Sequence, residues 1–150
     1  MGRVTSNSEA LHIIPYLRYA VREQSARQSG LTMDIIDKLS GVDFETVCAY
    51  LLLYMGFIDV EQTVATGDYG VDITARKGGY TYAIQCKRHK QSVSNKSVQE
   101  VFAGKEHYGC SKAIVMTNSV FTKGAIELAN DTDVELFNRN DMIRLLDEWE

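Results

Sequence analysis

Apolar residues recur at helical spacing at Leu11, Ile14, Leu17 and Val21 until Ser29-Gly30 interrupts them. This predicts a helix within an N-terminal extension over residues 1–30. A second helix is expected from about Asp43 to Met55. Phe44, Val47, Cys48, Leu51, Leu52 and Met55 give it a wide apolar face, Ser40 or Asp43 can cap it, and Gly56 stops it. The period then shortens. Phe57 to Val64 reads as a strand, Gly67-Asp68-Tyr69-Gly70 as a tight turn, and Val71 to Ala75 alternates as a second strand. Lys77-Gly78-Gly79 is a hairpin turn leading into a third strand from Tyr80 to Arg88. Val93 to Tyr108 returns to helical spacing, with Val98, Val101 and Phe102 on one face. Ala113 to Met116 is a continuous apolar run that suits a strand covered on both sides. A helix over Thr122 to Asn130, a strand over Val134 to Phe137 and a closing helix over Asp141 to Trp149 complete the chain. The order α-β-β-β-α-β-α-β-α predicts an α/β fold with a mixed sheet flanked by helices.

Composition narrows the class. With 150 residues, 45% of them hydrophobic, and one proline, the chain has the makeup of one globular domain and not of a disordered or collagen-like chain. The longest apolar run, Ala49 to Ile58, falls well short of the ~20 residues a membrane span needs. Cys48, Cys86 and Cys110 are an odd, widely spaced set that indicates neither a disulfide framework nor a zinc site. Met1 to His12 carries no apolar stretch of signal-peptide type, and the expected location is the cytoplasm.

Charge is unevenly placed. The chain has a formal net charge of −4, yet Ile73 to Gln99 holds Arg76, Lys77, Lys87, Arg88, Lys90 and Lys96 and no acid. The stretch from Ala125 onward is strongly acidic. A cationic strip on an acidic body fits a phosphate-backbone binder with a local contact surface; a solvated basic hairpin face would carry the same pattern.

The third strand holds the candidate chemistry. By parity Thr81, Ala83, Gln85 and Lys87 share one face, and Tyr82, Ile84 and Cys86 share the other, which is expected to be the core side. Gln85 and Lys87 then stand side by side, about 7 Å apart along the strand. The hairpin brings Asp72 to the same end. A carboxylate, an amide oxygen and an ammonium so gathered suit metal-assisted phosphodiester hydrolysis, with Asp72 and Gln85 as hard-oxygen ligands for Mg²⁺ (Mn²⁺ as a substitute). Lys87 would orient water and counter charge on the phosphorane. The same residues also allow a plain cross-strand ion pair between Asp72 and Lys87. Cys86 reads as a small buried hydrophobe.

The run Gly67-Asp68-Tyr69-Gly70-Val71-Asp72 followed by Gln85-Cys86-Lys87-Arg88 resembles the Mrr-type (type IV) restriction endonuclease family of the PD-(D/E)xK nuclease superfamily. Ser40-Gly41-Val42-Asp43-Phe44-Glu45, the segment Val115 to Ala125, and Val134 to Leu146 resemble further family landmarks in the same order. The resemblance implies a restriction-endonuclease-like core (α-β-β-β-α-β) over residues 31–150. It implies Asp72 as the metal-binding acid, Lys87 as the catalytic lysine, and Gln85 where most of the superfamily carries Glu or Asp. Glu45 matches an accessory acid, which could equally be a favourable first-turn residue of its helix. Asp68 and Gly70 match the turn before the site, and Gln99 an accessory polar position. Arg76, Lys77, Arg88, His89, Lys90 and Lys96 are the expected DNA contacts. The function so implied is a Mg²⁺-dependent endonuclease acting on double-stranded DNA in restriction of foreign or modified DNA, as a homodimer or higher homo-oligomer. The N-terminal helix would be a candidate contact between copies. Two alternatives stand beside it: a DNA-binding module that kept the fold without useful turnover, and a prophage or DNA-processing nuclease of the same superfamily.

Overall fold

A computed structural model describes residues 30–63 and 69–149. The N-terminal extension and Asp68 therefore lie outside the described residues. Helix α1 (Met33–Lys38) opens the fold, capped by Thr32, whose hydroxyl accepts from the Ile35 amide. The periodicity did not announce it, because six residues make less than two turns. Helix α2 (Gly41–Tyr54) begins just ahead of the expected point, since Ser40 and not Asp43 is the cap, accepting from the Asp43 amide. Strands β1 (Ile58–Gln62), β2 (Ile73–Lys77) and β3 (Tyr80–Lys87) follow. Then come α3 (Asn95–His107), β4 (Lys112–Thr117), α4 (Lys123–Thr132), β5 (Val134–Phe137) and α5 (Arg139–Trp149). No helix among the described residues is long and apolar enough to cross a membrane.

The strands form one sheet in the order β1-β2-β3-β4-β5. The first three pair antiparallel and β3-β4-β5 pair parallel, so the sheet is mixed. Two parallel steps taken in the same direction, each through a right-handed crossover, must place both connecting helices on one face. The packing agrees. Val98 and Val101 of α3 and Ala125 and Ala129 of α4 bury against Ala83, Ala113 and Val115. The opposite face takes α1, α2 and α5, with Ile36, Phe44, Leu51, Met142 and Leu145 on Ile73, Ile84, Ile114 and Met116. These two layers give the chain the restriction-endonuclease-like architecture.

One expectation is corrected here. Tyr82, Ile84 and Cys86 do face a core, but the face of Ala83 and Gln85 is covered as well, and Gln85 is only 6% exposed. Alternation within β3 could not reveal this, because the cover comes from the later crossover helix α3. Strand β1 is shorter than its apolar pattern suggested and carries a register shift between Ile58 and Glu61, as an exposed edge strand often does.

Candidate active site at the carboxyl end of the central strands

Antiparallel pairing of β2 with β3 sets Ile73 opposite Ile84. The ladder runs one step further, through the Asp72 amide bonded to the Ile84 carbonyl at 2.8 Å and the Thr63 amide bonded to the Asp72 carbonyl at 2.9 Å. Asp72 is thus pinned by its backbone from both neighbours. Its carboxylate oxygen Oδ2 also accepts from the Cys86 amide at 2.8 Å. Lys87 ends β3 opposite Thr117, whose hydroxyl donates to the Lys87 carbonyl at 2.6 Å. Asp72, Gln85 and Lys87 line one cleft of about 510 Å³, together with Tyr69, Gly70, Cys86, Glu100, Ala103 and Gly104.

Helix α3 forms the cleft's outer wall, and two glycines let it come close. Gly70 sits at φ +75°, and a Cβ there would also meet Glu100 at 3.0 Å. A Cβ on Gly104 would lie 2.1 Å from the Tyr69 carbonyl oxygen. Tyr69 is held in turn by stacking on His107, ring centroids 3.7 Å apart. It therefore meets a helix residue of its own chain, and Tyr80, at the hairpin turn, meets Lys112 of β4.

Gln85 is the most constrained member. Its Nε2 donates to the Gly70 carbonyl at 3.1 Å and to Glu100 Oε1 at 3.2 Å, while its Oε1 is buried without a hydrogen-bond partner. Such an oxygen has an acceptor position open to a water or an ion. With the Asp72 carboxylate it supplies hard oxygen donors, and Mg²⁺ commonly takes one or two carboxylates and fills the rest of its shell with water and phosphate. The residues present therefore fit a divalent ion of that kind. Among the described residues no group of three or more His, Cys, Asp and Glu could hold a metal. Burial pushes the Cys86 thiol up, and Cys48, Asp72 and Glu45 raise it further, so it is a neutral packing group.

The remaining predicted residues divide. Glu45 does not line the cleft; its Oε1 accepts from Gln62 Nε2 at 3.1 Å. Gln99 is exposed on α3 and also stands off the cleft. Lys96 is exposed one turn before Glu100, at 4.0 Å. Arg88 and His89 turn toward a neighbouring polar cluster: Arg88 donates to the Asp37 carbonyl and the His89 amide to Asn118 Oδ1. Lys90 lines a cleft there with Asp37, Asn118 and Arg139. Burial pushes the Asp37 carboxyl upward, yet hydrogen bonds from Arg139 and Asn118 and the charges of Arg139 and Arg88 hold it below the usual range.

Arg76 and Lys77 are not brought to the site. They lie at the turn end of the hairpin, roughly 13 Å (Arg76) and 16 Å (Lys77) from Asp72 at the usual strand rise. Arg76 faces Asp59 at 3.9 Å and Lys77 donates to the Met55 carbonyl at 2.8 Å. The basic strip of the sequence is thus split between two ends of the sheet. Glu100 was missed. It is the acid that ends the basic stretch, but which side of α3 faces Gln85 is set by packing and not by spacing.

Comparison with known proteins follows the same lines. A family model described as Mrr_cat, restriction endonuclease, matches residues 36–146. No curated protein matches the chain. Among solved structures, the protein of unknown function AF1548 is 22% identical with a TM-score of 0.58, over 69% of this chain and 62% of that one. The DNA modification-dependent restriction endonuclease AspBHI is 18% identical with a TM-score of 0.59, over 93% of this chain and 35% of that one. The MspJI restriction endonuclease, solved with a 27-mer oligonucleotide, is 18% identical with a TM-score of 0.50, over 68% of this chain and 26% of that one. At these identities the likeness establishes the fold, and the chain spans less than two thirds of each protein. The family model covers most of the chain, and the sheet order, the glutamine-lysine pair and the facing aspartate accompany it: the chain belongs to the Mrr-type restriction endonuclease family of the PD-(D/E)xK nuclease superfamily.

Proposed function

We propose that this chain is a Mg²⁺-dependent endonuclease that hydrolyses phosphodiester bonds of double-stranded DNA, in restriction of foreign or modified DNA. The observation that carries the reading is the buried, unpartnered Gln85 oxygen in a cleft shared with Asp72 and Lys87. Asp72 and Gln85 would hold the ion, with Mn²⁺ as a substitute. When bound, such an ion polarises the phosphate and lowers the pKa of water. Lys87 then orients the attacking water and offsets charge that develops on the phosphate oxygens. Asp72 stays fixed by the Cys86 amide, so its oxygens need little rearrangement. Lys96, exposed beside Glu100, and Lys90, exposed on the adjoining cleft, are the proposed phosphate contacts; Arg88 and His89 would act there through the same loop. AspBHI is described as DNA modification-dependent, which makes modified duplex the first substrate to try. A homodimer would place two such clefts on the two strands.

The test is supercoiled plasmid, methylated and unmethylated, with Mg²⁺ or Mn²⁺. Asp72→Ala and Lys87→Ala should each lower nicking by at least about a hundredfold. If wild-type protein nicks neither plasmid, the enzyme reading fails for duplex DNA. A second reading has one observation in its favour: no three-member cluster of His, Cys, Asp and Glu suited to a metal occurs among the described residues. A binding module without turnover would then show salt-dependent DNA affinity that Asp72→Ala leaves unchanged.

A further inference from the structure

A carboxamide has two N–H donors and one oxygen acceptor. In Gln85 both donors are spent on acceptors, the Gly70 carbonyl and Glu100 Oε1, while the oxygen is buried without a partner in a residue that lines the cleft. Turning the amide over would set its oxygen against a carbonyl and a carboxylate, two acceptors with no hydrogen to share. Only one orientation is therefore allowed, with the nitrogen toward Gly70 and Glu100 and the oxygen turned away from both acceptors.

Resting on the metal-dependent reading above, we propose that Glu100 is a positioning residue for the ion: it locks the Gln85 carboxamide with its oxygen available to the ion and supplies the negative charge that glutamine lacks. An anionic acceptor on the N–H draws electron density toward the amide oxygen, which makes that oxygen a better ligand. The logic is that of the carboxylates that orient metal-bound histidines from behind. The placement of Glu100 follows from the close approach of α3, since Gly70 packs against its backbone and Gly104 against Tyr69. Lys96 lies 4.0 Å from the other Glu100 oxygen, but it is exposed, so this pair alone holds Glu100 weakly. If Glu100 were only a surface acid paired with Lys96, Gln85 would not depend on it.

The experiment uses the full chain and Mn²⁺ as the probe, with three variants: Glu100→Ala, Gln85→Glu, and both Gln85→Glu and Glu100→Gln together. Calorimetry reads Mn²⁺ affinity, and nuclear magnetic resonance reads hydrogen exchange of the Gln85 side-chain amide. Glu100→Ala should weaken Mn²⁺ binding by at least about tenfold and speed amide exchange, with the thermal midpoint nearly unchanged because Glu100 is half-exposed on a helix surface. Gln85→Glu alone sets two carboxylates and a carbonyl face to face and should bind no better than Glu100→Ala. The double variant returns an amide donor facing a carboxylate, with the roles exchanged, and should regain wild-type affinity or better. Unchanged Mn²⁺ affinity in Glu100→Ala, or a double variant no better than Gln85→Glu, overturns the positioning role. Wild-type protein that takes up no Mn²⁺ overturns the metal reading as well, and so separates the two failures.

Discussion

Replacing Gly104 with alanine sets two opposing effects against each other. In the interior of α3 the change removes backbone entropy from the unfolded chain and should gain about 1 kcal/mol. The added Cβ, however, would sit 2.1 Å from the Tyr69 carbonyl oxygen and 2.6 Å from Val71 Cγ2. Reaching the 3.4 Å where ordinary contact begins requires a retreat of about 1.3 Å, and the nearest atom is backbone and cannot rotate away. Overpacking of this kind costs about 1–3 kcal/mol and sometimes more. With a backbone atom in the way the cost falls in the upper part of that range, so the clash wins and a net loss of up to about 2 kcal/mol is expected. The loss should also reach the chemistry. Tyr69 adjoins Gly70, whose carbonyl accepts from Gln85, so moving α3 outward loosens the Gln85 amide and should lower cleavage beyond the fraction unfolded. Urea titration supplies the stability, with an unchanged slope as the sign of an intact fold. Gly124→Ala is the control: its Cβ would meet nothing closer than 3.9 Å, so that change should be neutral or stabilise by a few tenths of a kcal/mol. If Gly104→Ala proves as stable as Gly124→Ala, the close approach of α3 to the Gly70 loop is wrong.

Other outcomes follow from the same geometry. Asp37→Asn should cost about 1 kcal/mol at neutral pH by weakening the Arg139 and Asn118 bonds. Because Asp37 is held below the usual carboxylate range in the folded protein, its charged form contributes stability above the unfolded carboxylate pKa, and the advantage fades as pH falls through the folded pKa. Equal stability of the two proteins at pH 7 would contradict this. Lys90→Ala and Lys96→Ala should each reduce the salt slope of DNA binding by about one, while Arg76→Ala should leave it unchanged; a drop with Arg76→Ala would mean that DNA reaches the hairpin turn. Cys86 in the folded protein should resist iodoacetamide at pH 8 and react on unfolding, since burial keeps its thiol protonated. Rapid labelling of the native state would refute that.

Element types were legible because each is written in local periodicity. The wide apolar face of α2, the alternation across Asp72 and Thr74, and the apolar run of β4 place helices and strands within a few residues of where they lie. The approach of Asp72 to Gln85 and Lys87 was legible too, because a hairpin turn at Gly78-Gly79 fixes the register of its own strands. Tertiary structure alone decided the rest. Whether Gln85 faces solvent or a packed helix depends on where the crossover after β3 returns, and that is set by strand order and handedness, beyond the reach of any local window. The same crossover selects Glu100 over its neighbour Gln99. A sequence determines periods and turns over short spans, whereas a site made of side chains from three segments exists only after long-range packing has fixed which faces meet.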